Sequence, residues 1–288
     1  MKEIIKNNIE AVIKDKIISQ SSVSGGCIND AEVIKTKSGK TLFVKTNNNS
    51  AKDMFFKEAN GLRELAKADV IRVPKVIYAS DDFIIIENIT PQIKSKAFWE
   101  NFGRSFAKLH KITNPIFGFS EDNYIGSTPQ LNIGSEKEAV NWTEFYFNKR
   151  LLYQYKIAEK NGYTGEELHQ AFSEFEKIIS SVLEDCKSEP SLLHGDLWSG
   201  NFIIDETGNA CLIDPAVYYG HREADLAMTK LFGGFDDRFY LAYNEEYPFD
   251  DGYKFRENIY KLYHVLNHLN LFGSGYYSQA VYLIKSYL

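Results

Sequence analysis

The sequence predicts an α+β chain in two lobes, a first lobe of antiparallel sheet with helices over residues 1–90 and a mainly helical second lobe over 91–288. Three observations predict it. Extended apolar runs rich in β-branched residues cluster before residue 90, at 41–45, 72–78 and 82–87. Apolar residues at helical spacing dominate from Phe98 onward. One short hairpin pattern, at 202–213, interrupts that helical half, and chemistry-bearing side chains cluster around it.

Composition sets the outer bounds. A chain of 288 residues with 44% hydrophobic and 25% charged residues has globular composition and can bury one large or two modest cores. A net charge of −6 argues against a nucleic-acid or anionic-membrane surface. The three cysteines, Cys27, Cys186 and Cys211, form no C-x-x-C and no even-numbered framework, which points to a reducing compartment. No apolar run reaches the length of a membrane span, and the N-terminus lacks a signal-type apolar region. The chain is therefore expected to be soluble and cytoplasmic, with no nucleic-acid or membrane partner.

The elements follow in order. Ile4, Ile5, Ile9, Val12 and Ile13 repeat at helical spacing, so residues 2–15 should form an amphipathic helix packed on the first lobe. VSGGCINDAEV (23–33) is a Gly-Gly loop between extended segments. The amides of Gly25 and Gly26 could approach phosphates closely because glycine lacks Cβ, although such a pair also marks an ordinary hairpin. Cys27 lies in that loop, where amide donors and a nearby lysine would lower a thiol pKa, making it a candidate redox switch; simple packing is the alternative. TLFVK (41–45) ends a strand on Lys45, and the helix expected over 53–65 carries Glu58 near its middle. A strand lysine paired by a helix glutamate is the arrangement that orients nucleotide phosphates; a surface ion pair of little consequence is the alternative.

Residues 72–78 and 82–87 complete the first sheet, after which Glu87-Asn88-Ile89 leaves the strand and Pro91 breaks it. Phe98, Phe102, Phe106 and Leu109 stripe the next helix, whose His110 suits capping or packing. A long helix from Asn141, carrying Trp142, Phe145, Arg150 and Tyr153, and another over 166–185 precede the central stretch. Beyond it come the trio His221-Arg222-Glu223 and Asp225 at a helix start. The acidic, aromatic run 235–253 has the composition of a solvated loop or the lining of a cationic pocket. His264 and His268, at i, i+4, lack the glutamate and cysteine neighbours of a zinc site and are expected to be core or helix-surface residues.

The central stretch, LLHGDLWSGNFIIDETGNACLIDP (192–215), contains H-x-D-x-x-x-x-N: His194, Asp196 and Asn201. Two apolar runs joined by Asp-Glu-Thr-Gly-Asn then fold back toward Asp214. Phosphoryl transfer requires these groups; a plain turn at H-G-D and a strand end at I-D-P are the alternative. One carboxylate, Asp196, accepts the hydroxyl proton, while an Asn and an Asp, Asn201 and Asp214, hold Mg²⁺ on the ATP phosphates.

HGDLWSGN followed by IDP resembles the kinase-like phosphotransferases that act on small molecules, such as aminoglycoside and choline kinases. The fuller strings SLLHGDLWSGN and IDPAVYYGHREADLAM, with Trp198 and the run Tyr218–Glu223, are similar to the fructosamine (ketosamine) kinase family. That resemblance implies a two-lobed protein-kinase-like fold with ATP and Mg²⁺ as cofactors. It also implies an adenine contact by the backbone at Glu87 and Ile89, and support of the catalytic loop by Asp225. Trp198, His221 and Arg222 become candidates for the substrate side. The implied acceptor is the sugar 3-hydroxyl of a ketosamine, fructosamine or ribulosamine, free or protein-bound, in a deglycation role. An aminoglycoside or amino-alcohol kinase, and a nucleotide-binding pseudokinase, are the alternatives.

Overall fold

The structure, a computed structural model, describes residues 1–23, 30–47, 51–183 and 189–288; Gly25, Gly26, Cys27 and Cys186 lie outside the described residues. The chain forms two compact units, Met1–Phe98 with Gly200–Pro215, and Trp99–Ser199 with Ala216–Leu288.

In the first unit, helix α1 (Glu3–Ile13) precedes strands β1 (Ile17–Val23), β2 (Asp30–Thr36) and β3 (Thr41–Thr46). Helix α2 (Met54–Lys67), β4 (Val76–Ala79) and β5 (Phe83–Glu87) follow. The sheet order is β1-β2-β3-β5-β4, with every pairing antiparallel. Strand β5 shows why its sequence reads as a continuous apolar run. Phe83 and Ile85 pack with Ile5 and Ile9 of α1, while Ile84 and Ile86 pack with Phe55, Ala59 and Leu62 of α2. Alternate side chains leave opposite faces, so a strand covered on both sides must be apolar throughout.

In the second unit, α3 (Phe98–His110) begins at the junction and leads to the short pair β6 (Asn123–Ile125) and β7 (Thr128–Gln130). The long helix expected from Asn141 runs unbroken over 142–160, with a π-helical turn within it and a separate short helix before it. Helix α4 (Glu136–Val140) opens with a Ser135/Glu138 capping box, and α5 (Trp142–Tyr146) is capped at its start by Asn141. A π-helical turn, Phe147–Leu152, then passes into α6 (Tyr153–Lys160). That turn carries Arg150, whose buried guanidinium stacks 4.1 Å from the Tyr218 ring and donates to Leu131 O and Asn132 Oδ1. Helix α7 (Gly165–Leu183) and strand β8 (Ser191–Leu193) lead into the central stretch.

The hairpin β9 (Phe202–Ile204) and β10 (Ala210–Leu212) belongs to the first unit, although a boundary at residue 90 assigned it to the second lobe. Backbone bonds explain why: Leu212 N donates to Arg72 O (2.9 Å), Gln92 N to Ile204 O (3.0 Å) and Ser95 N to Gly208 O (3.1 Å). Strand β11 (Tyr218–Gly220) pairs with β8, and helices α8 (Glu223–Leu231), α9 (Asp237–Glu246), α10 (Tyr253–Phe272) and α11 (Tyr277–Lys285) complete the chain. Helix α9 occupies much of the run read as a solvated loop. Asp236 caps it by accepting from Arg238 N, and Phe239, Ala242 and Tyr243, at i, i+3, i+4, bury one face. The acids between them masked that spacing. Among the described residues no helix is long and apolar enough to cross a membrane.

Candidate active site

The first unit brings together Lys45, Glu58, Asn201 and Asp214. Lys45 stands near the end of β3, and its Nζ donates to Glu58 Oε1 of α2 at 2.7 Å and to Asp214 Oδ1. Lys45 is buried, whereas the Asp214 side chain is 42% exposed. Burial disfavours the Lys45 ammonium, but the Asp214 and Glu58 carboxylates outweigh it and hold its pKa above the ordinary lysine value. Glu58 is displaced upward, by burial first and by the charge of Asp214, with Lys45 opposing both. The Lys45–Glu58 pair expected from chain order is thus a buried ion pair, not a surface one.

The hairpin sets the other two positions. Cross-strand pairs run Ala210↔Ile204, Cys211↔Ile203 and Leu212↔Phe202, and Ile213 N then donates to Asn201 O at 3.0 Å. Asn201 therefore lies across from the residue before Asp214. Asp214 adopts φ 54°, a left-handed conformation that aspartate tolerates better than most side chains. The tight connection between the strands is closed by Asp205, which accepts from Thr207 N (2.8 Å) and Asn209 N (3.0 Å). Arg72 ties the hairpin to β5, pairing with Glu206 (2.6 Å), Asp205 (3.5 Å) and Glu87 (2.6 Å). Nothing in the local sequence of Arg72 announces this, because its partners lie far along the chain. The Glu87 carboxylate is engaged by Arg72 and the Lys75 amide, and Ile89 is buried. Cys211 is buried inside β10, and burial pushes its thiol up to about 12, so it is inert.

The second unit carries the H-G-D turn. Asp225 of α8 accepts from His194 N (2.7 Å) and Gly195 N (2.8 Å), while His110 Nε2 lies 3.3 Å from Asp225 Oδ2. His110 Nδ1 in turn meets the Tyr243 hydroxyl at 2.8 Å. Burial favours neutral forms of both groups and lowers the His110 pKa. For Asp225, the hydrogen bonds from His110 and the Gly195 amide outweigh burial and hold its carboxyl below the usual range. Gly195 has φ 83°, and a Cβ there would fall 2.0 Å from the Ala216 carbonyl oxygen, so only glycine fits. The turn delivers Asp196, whose side chain remains 21% exposed.

The three substrate-side candidates separate. Trp198 is half-buried, with its ring edge-on to Phe232. His221 is buried with Nδ1 2.7 Å from the Tyr260 hydroxyl, which also accepts from Trp142 Nε1. Arg222 is buried and donates to the carbonyls of Tyr247 (3.0 Å) and Pro248 (2.6 Å) while stacking on the Tyr247 ring. His221 and Arg222 thus make their contacts inside this unit, Arg222 with the 247–250 segment.

Comparison with known proteins gives a consistent result. The chain is 42% identical over 280 residues to a chloroplastic protein-ribulosamine 3-kinase of Arabidopsis thaliana, covering 95% of this chain and 83% of that one. A solved Thermobifida fusca protein assigned as a fructosamine-3-kinase superposes with a TM-score of 0.86 at 28% identity, over 98% of this chain and 97% of that one. An ADP-bound aminoglycoside phosphotransferase, APH(2'')-Ib, shares the fold with a TM-score of 0.69 at 16% identity, over all of both chains. The fold is protein-kinase-like. The model of the fructosamine kinase family matches residues 1–288, and this chain belongs to that family.

Proposed function

We propose that this chain is an ATP-dependent kinase that phosphorylates the sugar 3-hydroxyl of ketosamines, ribulosamine or fructosamine, free or carried on protein lysines. The observation that carries the reading is the buried Lys45 ammonium bonded to both Glu58 and Asp214, in a chain of the fructosamine kinase family. Lys45 binds and orients the ATP phosphates, and Glu58 fixes the lysine. Asp214 and Asn201 offer oxygen donors, the kind that Mg²⁺ takes, and the bond from Ile213 N to Asn201 O, next to Asp214 in the chain, supports the reading. Bound Mg²⁺ supplies charge neutralisation on the phosphate oxygens.

Asp196 orients the acceptor hydroxyl and takes its proton. The acceptor O–H bond breaks, a bond from that oxygen to the γ-phosphorus forms, and the bond from phosphorus to the ADP oxygen breaks. The protein contributes positioning and fixed charge rather than covalent chemistry. Trp198, His221 and Arg222 are the substrate-side candidates.

ATP consumption measured against ribulosamine, fructosamine and a set of aminoglycosides tests the reading. The expected kcat/KM is at least about tenfold higher for a ribulosamine than for any aminoglycoside, about 1.4 kcal/mol in transition-state binding. The reverse ranking would make the chain an antibiotic-type kinase. No phosphorylated product from any acceptor would make it a nucleotide-binding module.

A further inference from the structure

His264 lies on α10 and its side chain is 4% exposed. Its Nδ1 is buried and makes no hydrogen bond. A buried ring nitrogen left without a partner costs about 1–3 kcal/mol, so its position calls for a physical reason. The reason lies opposite it: Asp196 Oδ1 is 4.0 Å away. That is about 1 Å beyond an ordinary N–H···O span, a gap that a small torsion of either side chain closes. The His264 carbonyl is meanwhile engaged by His268 Nδ1 at 2.8 Å, one turn along the same helix.

We propose that His264 is a positioning residue for Asp196: its Nδ1–H is the donor that fixes one carboxylate oxygen and directs the other to the acceptor hydroxyl. This inference rests on the reading of Asp196 as the proton acceptor. The groups that face His264 are Asp196 of the H-G-D turn, Asp225 of α8, Arg150 of the π-helical turn, and His268 and Tyr263 of its own helix. Burial, then His268, lowers the His264 pKa to about 3, so the ring is neutral wherever the enzyme works. A neutral ring cannot compete with Asp196 for the acceptor proton, but with its hydrogen on Nδ1 it can donate to the carboxylate. Such a bond favours the ionised form of Asp196, the form that accepts a proton.

Two variants separate this role from a packing role. His264→Leu removes the donor and keeps bulk; His264→Asn supplies an amide N–H near the place of Nδ1. His264→Leu is expected to lower kcat about 10- to 100-fold, with KM for ATP within about twofold of wild type. The acid limb of its kcat/KM profile for the ketosamine should move to higher pH, because Asp196 loses a stabilising donor. His264→Asn should recover kcat to within about fivefold of wild type and return the acid limb toward its original position. Wild-type kcat and acid limb in a folded His264→Leu protein would overturn the inference. So would a folded His264→Asn protein as slow as the Leu variant, and this result decides the matter if the Leu variant does not fold. Asp196→Asn, measured alongside, keeps the two readings apart. If it turns over at the wild-type rate, the assignment of Asp196 is wrong; if it is inactive while His264→Leu is unaffected, only the role of His264 fails.

Discussion

Asp214 and Asp225 are the same side chain used in opposite ways. Asp214, in the first unit, is 42% exposed and answered by a full positive charge, the Lys45 ammonium, itself balanced by Glu58. Asp225, in the second, is buried and answered by neutral donors: two backbone amides and an imidazole. A partly exposed carboxylate held by a single side-chain cation can exchange partners, which suits a group proposed to hold a ligand and release it. A buried carboxylate saturated by backbone amides cannot exchange without unfolding the turn it holds. On the proposed reading, nucleotide binding in the first unit uses exchangeable charge, while the H-G-D turn of the second is held by fixed hydrogen bonds.

The largest expected effect breaks the rigid side. Asp225→Ala strands the His194 and Gly195 amides and the His110 ring in the interior, a loss of about 3–5 kcal/mol in unfolding free energy together with most of the activity. Urea unfolding measures it, and unchanged stability would show that the H-G-D turn holds itself. The exchangeable side should respond differently. Lys45→Met leaves Glu58 buried and unpaired, costing about 3 kcal/mol, and raises KM for ATP. Adding Glu58→Leu should restore most of the stability and none of the activity, whereas recovery of both would place phosphate binding elsewhere.

The pH dependence sharpens the contrast. His110, His221 and His264 all have pKa values lowered by burial. Their neutral forms stabilise the fold fully above the unfolded value of about 6.5, and that contribution is lost as pH falls toward the folded values. The Asp225 pKa is also lowered, so its contribution is lost on further acidification, below about pH 4. Tm should therefore fall steadily from pH 7 to pH 5, and a rising Tm over that range would contradict the neutral-histidine account. The smallest expected effect belongs to Arg72, which is partly exposed. Arg72→Ala should lower stability by about 1 kcal/mol or less and raise KM for Mg-ATP a few-fold. An unaltered KM would show that the hairpin keeps its position through backbone bonds alone.

What was legible in the sequence was local. Asn201 and Asp214 are joined by one hairpin whose strands and turn are contiguous, so period and turn chemistry suffice to find them. Lys45 and Glu58 were found from chain order, and Asp225 from its place after the IDP motif. What escaped depends on partners far along the chain. His110 meets Tyr243, Arg72 meets Glu206, and Arg150 of the π-helical turn sits against the Tyr218 and Tyr263 rings. Helix α9 escaped for a different reason, because its three buried positions lie within an acidic, aromatic run. His264 read as a core histidine, and it is one by burial; only the fold reveals that Asp196 lies opposite.

On the proposed reading, nucleotide binding and proton acceptance rest on different aspartates. Calorimetric titration of Mg-ATP into Asp214→Ala and Asp196→Asn, with turnover measured on the same samples, tests it most directly. Asp214→Ala should lose Mg²⁺-dependent nucleotide binding. Asp196→Asn should bind Mg-ATP as wild type does while kcat falls about 10²- to 10⁴-fold. Normal Mg-ATP binding by Asp214→Ala, or near wild-type turnover by Asp196→Asn, would contradict the account.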